Sequence, residues 1–175
     1  ITKVKEYKYD ELNRLTKHLK YGTINTSLTY NGNNLNPISI TKNGKLNELS
    51  WSRDNLLSKF GNNSYNYNYQ GNRISKTTNT KTINYYYDGS KLLGKDHSDG
   101  VKIRYIYDLM GITGARYITS FGTTDYHYAK DGQQNIVAIS KDGSILIEYY
   151  YDAWGNTLEE VTKQYDSFVK INPFR

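Results

Sequence analysis

A short motif recurs along this chain at intervals of about twenty residues. In its clearest copy, at residues 149–158, three tyrosines are followed by Asp, Ala, Trp, Gly-Asn and Thr-Leu. Tyrosines suit a pleated, half-buried strand, the Asp can bond the backbone two residues on, and Gly-Asn supplies positive φ at low cost. The motif therefore predicts a strand, a turn and a second strand, which together form a β-hairpin.

Weaker copies of the motif precede this one. We call the residue that precedes the turn in each copy its anchor. The anchors of the eight copies are Tyr9, Tyr30, Arg53, Tyr69, Tyr87, Tyr107, Tyr128 and Tyr151. In this alignment Arg53 stands in place of a tyrosine, Gln70 stands in place of the Asp, and Ala129 opens a changed turn. A fixed period in this range is typical of repeat proteins, in which each unit packs on its neighbours.

Between the motifs lie second turns that would return the chain to the next hairpin. Hairpin signals of the Asn-Gly and Asp-Gly type occur at residues 31–32, 43–44, 99–100, 131–132 and 142–143. Pro37 predicts that the strand after the 31–32 turn is irregular or lies at an edge. The best helical candidate, residues 158–168, is short and only loosely periodic.

Together the hairpins predict an all-β fold of antiparallel hairpin repeats. One face of the sheet would carry alternating Tyr, Leu and Ile, and the other would carry Lys, Asn, Thr and Ser. Because sheets twist and like units add in one sense, we expect a curved, spiralling sheet that forms a partial shell or open barrel. Its exposed edges would allow self-association with another copy.

Charge and composition exclude several classes of function. The net charge is +6, but the basic side chains are dispersed, whereas a nucleic-acid interface concentrates them on one element. We therefore expect no nucleic-acid partner and favour a weak attraction to anionic glycans or membranes. Cysteine is absent, which excludes disulfides and thiolate metal sites. No apolar run approaches the roughly twenty residues of a transmembrane segment.

The candidate site residues all have ordinary structural explanations. One carboxylate recurs per turn in five copies, at Asp10, Asp54, Asp88, Asp108 and Asp152. Calcium sites need several oxygens from one loop, so these residues indicate turns that bond their own backbone. His18, His97 and His127 lack metal-ligand spacing. The sequence predicts no catalytic residue, cofactor or metal, and hence no enzyme.

The tyrosine rows have two interpretations that the sequence leaves open. They could form a stacking platform for sugars or for unfolded chain segments. They could also be cross-strand aromatic pairs that stabilise the sheet, which is the favoured interpretation. The two are compatible, because one face of a sheet can be both a wall and a contact surface.

The repeating pattern Tyr-x-Tyr-Asp-x-x-Gly/Asn-x-Leu/Ile resembles that of the YD-repeat, or Rhs (rearrangement hot spot), family. Residues 151–156, Tyr-Asp-Ala-Trp-Gly-Asn, are similar to the best-preserved repeat of that family, and residues 172–175 are similar to the opening of the Rhs core segment. On this resemblance the chain, residues 1–175, is a single repeat array cut from a longer protein. Residues 1–60 are degenerate repeats, residues 61–160 are clear repeats, and residues 161–175 begin the core segment.

The resemblance implies a function that the composition does not. Members of the family form a hollow β-shell that, in bacterial polymorphic toxins and insecticidal toxin complexes, encloses a toxic C-terminal domain; in animal teneurins a related shell supports adhesion. We therefore expect a structural shell segment of a large secreted or cell-surface bacterial protein. Its partners would be the remaining repeats and the C-terminal toxin cargo. The alternative is a cell-surface carbohydrate-binding or adhesion module that uses exposed Tyr and Lys.

Overall fold

The computed structural model describes residues 4–174, whose regular secondary structure is β-strand apart from one five-residue helix. The chain divides into two compact units, with the boundary between Thr82 and Ile83. The strands of the first unit are β1 (Lys5–Tyr9), β2 (Leu15–Lys20), β3 (Thr23–Tyr30), β4 (Pro37–Lys42), β5 (Lys45–Trp51), β6 (Leu57–Phe60), β7 (Asn63–Tyr67) and β8 (Arg73–Thr77).

The second unit contains eight further strands and the only helix among the described residues. These elements are β9 (Thr82–Asp88), β10 (Lys91–His97), β11 (Lys102–Asp108), β12 (Gly111–Thr119), β13 (Gly122–Lys130), β14 (Ile136–Lys141), β15 (Ser144–Tyr151), β16 (Thr157–Thr162) and α1 (Ser167–Ile171).

Within each unit every strand pairs antiparallel with the next strand along the chain. In the first unit Tyr7 lies opposite His18, and in the second unit Tyr128 lies opposite Ile139. Residues at directly opposite positions share a face and neighbours along a strand alternate, so most tyrosines of successive hairpins lie on one face of each sheet, which we call the tyrosine face. Tyr86 and Tyr150 lie on the other face. The predicted all-β array of antiparallel hairpins is confirmed.

Five of the hairpins close with the same four-residue turn. The side chain of the first turn residue accepts a hydrogen bond from the backbone N–H of the residue four positions later, at 2.8–3.2 Å. These residues are Asp10, Ser52, Asn68, Asp131 and Asp152. Three positions after each of them the backbone is left-handed, with φ between 57° and 81° at Asn13, Asn55, Gly71, Gln134 and Gly155. The shared requirement is a short oxygen acceptor followed by a residue that tolerates positive φ.

This turn geometry corrects three of the sequence-based anchors. Ser52 and Asn68 occupy the Asp position, so the anchors of those copies are Trp51 and Tyr67 rather than Arg53 and Tyr69. In the seventh copy Asp131 opens the turn, so the anchor is Lys130 rather than Tyr128. The alignment was placed by Asp54 in the third copy and by the last aromatic residue in the other two, whereas the hairpin geometry is set by the turn acceptor.

Two local expectations were partly right. Pro37 begins β4 next to a bulge at Ile38, but β4 pairs with both β3 and β5 and is not an edge strand. Proline at the first residue of a strand costs little, because its missing N–H precedes the ladder. The helical candidate, residues 158–168, is mostly β16 and loop, and α1 overlaps it only at Ser167 and Phe168.

The two units differ in how much apolar surface they bury. Within the described part of the first unit, Leu19 is the only buried apolar side chain. The second unit has a continuous core, made of Ile103, Tyr105, Ala115, Tyr126, Tyr128, Ile136, Ile139, Leu146, Ile147, Tyr149 and Phe168. No helix among residues 4–174 is long and apolar enough to cross a membrane.

Candidate functional site

Within each unit, anchor side chains join a hairpin to the hairpin before it. Five anchors donate a hydrogen bond to a backbone carbonyl at the start of the preceding return strand, at 2.7–2.8 Å: Tyr30 to Leu15, Trp51 to Pro37, Tyr67 to Leu57, Tyr107 to Leu92 and Tyr151 to Ile136. Tryptophan can replace tyrosine because its indole N–H is also a donor at the tip of a flat ring. The motif therefore encodes a contact between repeats as well as a strand.

Lys130 keeps this contact although it is not aromatic. Its ammonium group donates to the carbonyl of Met110 in the preceding turn at 3.3 Å and to Oε1 of Gln134 at 3.4 Å. A long basic side chain can thus reach the same part of the neighbouring hairpin that a tyrosine hydroxyl reaches. The position demands a donor on a long side chain more strictly than it demands a ring.

Replacing Tyr151 with phenylalanine tests the contact. The variant keeps the ring but leaves the Ile136 carbonyl without this donor, so we expect the free energy of unfolding to fall by about 1–2 kcal/mol. Tyr150→Phe is the matched control, because Tyr150 is 48% exposed and its hydroxyl donates to the Glu148 carboxylate at the surface rather than to a backbone carbonyl. Urea unfolding monitored by circular dichroism measures both. Equal losses in the two variants would contradict a role for the anchor hydroxyl.

The tyrosine face of the second unit is covered by the chain segment that follows β16. We call residues 163–174 the covering segment. Its central side chain, Phe168, is fully buried and stacks on Tyr126 with ring centroids 4.1 Å apart, while Tyr117 meets it edge-on at 5.9 Å. Offset and edge-on ring pairs of this kind add to the apolar burial. The covering segment therefore completes the core of this unit.

Hydrogen bonds fix the position of the covering segment at its start. Asp166 caps α1 by accepting from the backbone N–H of Phe168 at 2.8 Å, and it also accepts from the Tyr126 hydroxyl at 3.0 Å. Two effects raise the pKa of Tyr126: mainly its burial, and to a lesser degree its hydrogen bond to the Asp166 carboxylate. The hydroxyl therefore stays protonated and remains the donor. Lys141 lies 3.9 Å from the same carboxylate.

Further contacts carry the covering segment across the sheet. The Tyr128 hydroxyl donates to Oδ1 of Asn172 at 2.7 Å, and the buried ammonium group of Lys95 donates to the carbonyl of Ile171. Phe174 then meets the ring of Tyr105 edge-on at 4.8 Å. Tyr105, Tyr128 and Lys95 belong to three different strands, so one peptide segment ties together several hairpins. The sequence analysis missed this site; Asp166 before Ser-Phe, a helix-capping pattern, is the signal that marks its start.

The turn aspartates do what the sequence predicted at Asp10, Asp108 and Asp152, whose carboxylates accept from nearby backbone N–H groups. Side-chain and backbone donors at Asn156 hold the pKa of Asp152 below its usual value, and donors at Asn135 do the same for Asp131. Asp54 lies inside a turn that Ser52 organises instead. Asp88 ends β9.

The three histidines lie far apart in the strand order. His18 is on β2, where its ring stacks on Tyr7 at 4.9 Å, His97 is buried at the end of β10, and His127 is on β13. Within residues 4–174 no group of three His, Cys, Asp or Glu side chains is arranged to hold a metal ion. The side chains that the fold does bring together are the tyrosines, and in the second unit they contact a polypeptide segment.

This chain is a sequential array of antiparallel hairpins joined by anchor side chains, and it is similar in sequence to part of several long nucleases. Over 95% of its length it is 33% identical to the tRNA nuclease WapA of Bacillus subtilis strain 168. Over the same share it is 32% identical to the tRNA3(Ser)-specific nuclease WapA of Bacillus spizizenii and to the tRNA(Glu)-specific nuclease WapA of Bacillus subtilis subsp. natto. The chain spans only 7% of the length of each of these relatives. No family profile matches it.

Solved structures give a weaker likeness. The chain aligns over 90% of its length with 12% of a chain in the crystal structure of TcdB2-TccC3-Cdc42, at a TM-score of 0.44 and 13% identity. It aligns over 94% of its length with 11% of a chain in the crystal structure of TcdB2-TccC3, at a TM-score of 0.34 and 15% identity.

Proposed function

We propose that this chain is a wall segment of a large bacterial YD-repeat (Rhs-type) toxin. Its role is structural: together with further repeats it encloses or presents a C-terminal toxin domain, and it performs no catalysis itself. The observation that carries the proposal is the row of anchor hydrogen bonds, because within each unit successive hairpins are bonded through an anchor side chain of the same kind. A wall built this way can be extended by adding hairpins without a new kind of contact.

The names of the relatives support a structural role for this stretch. Two of them are specific for different tRNAs, tRNA3(Ser) and tRNA(Glu), yet each is 32% identical to this chain over 179 residues. A stretch that selected the tRNA would be expected to differ with the substrate. The matched stretch is 7% of each relative, which leaves ample length elsewhere for a nuclease domain.

The physical function is containment. The twist of successive antiparallel strands would curve the array, and repeats on either side would close it into a shell. In this arrangement residues 1–60, 61–160 and 161–175 remain what the resemblance assigns them: degenerate repeats, clear repeats and the start of the core segment. A toxin of this kind acts on other cells, so the parent protein is secreted or displayed at the cell surface.

Two measurements test the proposal. The purified chain should leave tRNA intact at concentrations at which the parent protein degrades it. In the parent protein, the C-terminal domain should resist digestion by trypsin. Phe168→Ala should shorten the half-life of that domain during digestion, because loss of this buried ring weakens the wall. Phe121→Ala, at a side chain that is 99% exposed, is the control and should leave the half-life unchanged. A C-terminal domain that is digested equally fast in the intact parent and alone would overturn enclosure.

A further inference from the structure

Four lysines lie together on the tyrosine face of the first unit. The strand register places Tyr7, His18, Thr26, Lys42 and Lys45 side by side across β1–β5, each opposite the next. In the adjoining row Lys5 lies opposite Lys20. Neighbouring strands are about 4.8 Å apart, so these lysines extend over about 20 Å. We call Lys5, Lys20, Lys42 and Lys45 the lysine patch.

The lysine patch is electrostatically unfavourable for the sheet itself. It contains two directly opposed like-charge pairs, Lys5–Lys20 and Lys42–Lys45, and such pairs destabilise a sheet. The acidic residues of β1–β5, Glu6 and Glu48, alternate onto the opposite face. Among the described residues none of the four patch lysines forms an ion pair, and all four are exposed.

The opposite face of the same strands differs in this respect. It holds a third opposed pair, Lys8 and Lys17, but there the Glu6 carboxylate lies 3.4 Å from the Lys8 ammonium group and offsets its charge. The positive charge is also concentrated in this half of the chain. Residues 1–82 hold 13 Lys and Arg against 5 Asp and Glu, a net charge of +8, whereas residues 83–175 hold 10 against 12, a net charge of −2.

The second unit shows what kind of molecule such a face accepts. There the tyrosine face is covered by a polypeptide, and a lysine of that face, Lys95, donates to a main-chain carbonyl of the covering segment. The corresponding face of the first unit has no such cover among the described residues, and Tyr7 is 48% exposed on it. The lysine patch presents four ammonium groups, whereas in the second unit two lysines, Lys95 and Lys141, meet the covering segment.

We propose that the lysine patch, together with Tyr7, binds an acidic polypeptide segment. Carboxylates of the segment would neutralise the opposed lysine pairs, and an apolar side chain would cover the exposed ring of Tyr7 in the Tyr7–His18 stack. A nucleic acid is less well matched, because the patch contains no arginine, the side chain best suited to bidentate phosphate contacts.

The proposed function enters this inference at one point: it identifies the acidic segment as part of the enclosed portion of the parent protein. The binding itself requires no enclosure and is a property of the isolated chain. Failure of the binding test would therefore leave the protease test of enclosure unaffected, and the reverse also holds.

The test measures binding of fluorescent poly-L-glutamate to the full chain at low salt, with matched charge variants. Lys20→Gln/Lys42→Gln/Lys45→Gln removes three patch charges, and Lys8→Gln/Lys17→Gln/Lys59→Gln removes three charges from the opposite face. We expect the patch variant to bind roughly tenfold more weakly and the control variant to stay within about threefold of the wild type. Circular dichroism checks that both variants are folded.

A second readout needs no variants. Carbodiimide coupling of bound poly-L-glutamate to the wild-type chain should form amide cross-links at Lys20, Lys42 and Lys45 in preference to Lys8 and Lys17. Equal weakening by the two variants would mean that binding reports net charge alone and would overturn the proposal. Patch-dependent binding of heparin or polyuridylate in place of poly-L-glutamate would also overturn it, by assigning the face to a polysaccharide or a nucleic acid.

Discussion

Replacing Phe168 with alanine is expected to lower the free energy of unfolding by about 4 kcal/mol, the usual cost of truncating a fully buried phenylalanine. The ring is stacked on Tyr126 and lies edge-on to Tyr117, so its loss removes two aromatic contacts as well as buried area. Phe168 is the one buried side chain among residues 163–174, so no other side chain of the covering segment can fill the cavity that its loss would leave. Urea unfolding followed by circular dichroism measures the loss.

Phe121→Ala is the control for this prediction. The same atoms are removed, but Phe121 lies in a turn and is 99% exposed, so the free energy of unfolding should change by less than about 0.5 kcal/mol. Hydrogen exchange gives a second, local measure. In Phe168→Ala, amide protons of β12 and β13 should exchange faster, because those strands carry Tyr117 and Tyr126. Similar unfolding midpoints for the two variants would show that the covering segment contributes little to the core.

The hairpin array could be predicted from sequence because its signals are local. Asn-Gly and Asp-Gly pairs favour positive φ, which the glycines of four of the five predicted pairs adopt, and alternating tyrosines give a two-residue period. Neither signal depends on distant residues. The anchors Trp51 and Tyr67 were misassigned because a serine and an asparagine replace the aspartate as turn acceptor, and Lys130 was missed because it is not aromatic. Several residue types can supply the oxygen that accepts the turn hydrogen bond, and comparing residue identities alone does not reveal that they are equivalent.

The covering segment could not be predicted in the same way. Phe168 lies outside the repeats, and its partners Tyr117 and Tyr126 are 51 and 42 residues earlier in the chain. No periodicity links a single phenylalanine to a particular pair of strands. The lysine patch was hidden for a related reason: Lys5, Lys20, Lys42 and Lys45 are dispersed in sequence, and only the strand register brings them together.

Gly114→Ala is expected to destabilise the second unit by about 3 kcal/mol, at the upper end of the cost of overpacking. Gly114 lies in the middle of β12, where a Cβ atom would be 2.3 Å from the carbonyl oxygen of Tyr126 on β13. The obstacle is backbone rather than a flexible side chain, so relief requires the two strands to separate. That movement would break the ladder between β12 and β13 and would shift Tyr126, against which Phe168 packs.

Gly132→Ala separates this steric effect from the general effect of replacing glycine. A Cβ atom at Gly132 would meet nothing within 4 Å, and its backbone φ is not in the left-handed region, so the change should be neutral or stabilising by up to about 1 kcal/mol. Thermal and urea unfolding of both variants decide the matter. If Gly114→Ala unfolds at the wild-type midpoint, then β12 and β13 do not approach as closely as the register requires.

The changes at Gly114 and Phe168 should also be coupled. Because Tyr126 donates to Asp166, a loosened β12–β13 pair should release the covering segment. Gly114→Ala combined with Phe168→Ala should therefore lower the free energy of unfolding by less than the sum of the two single losses.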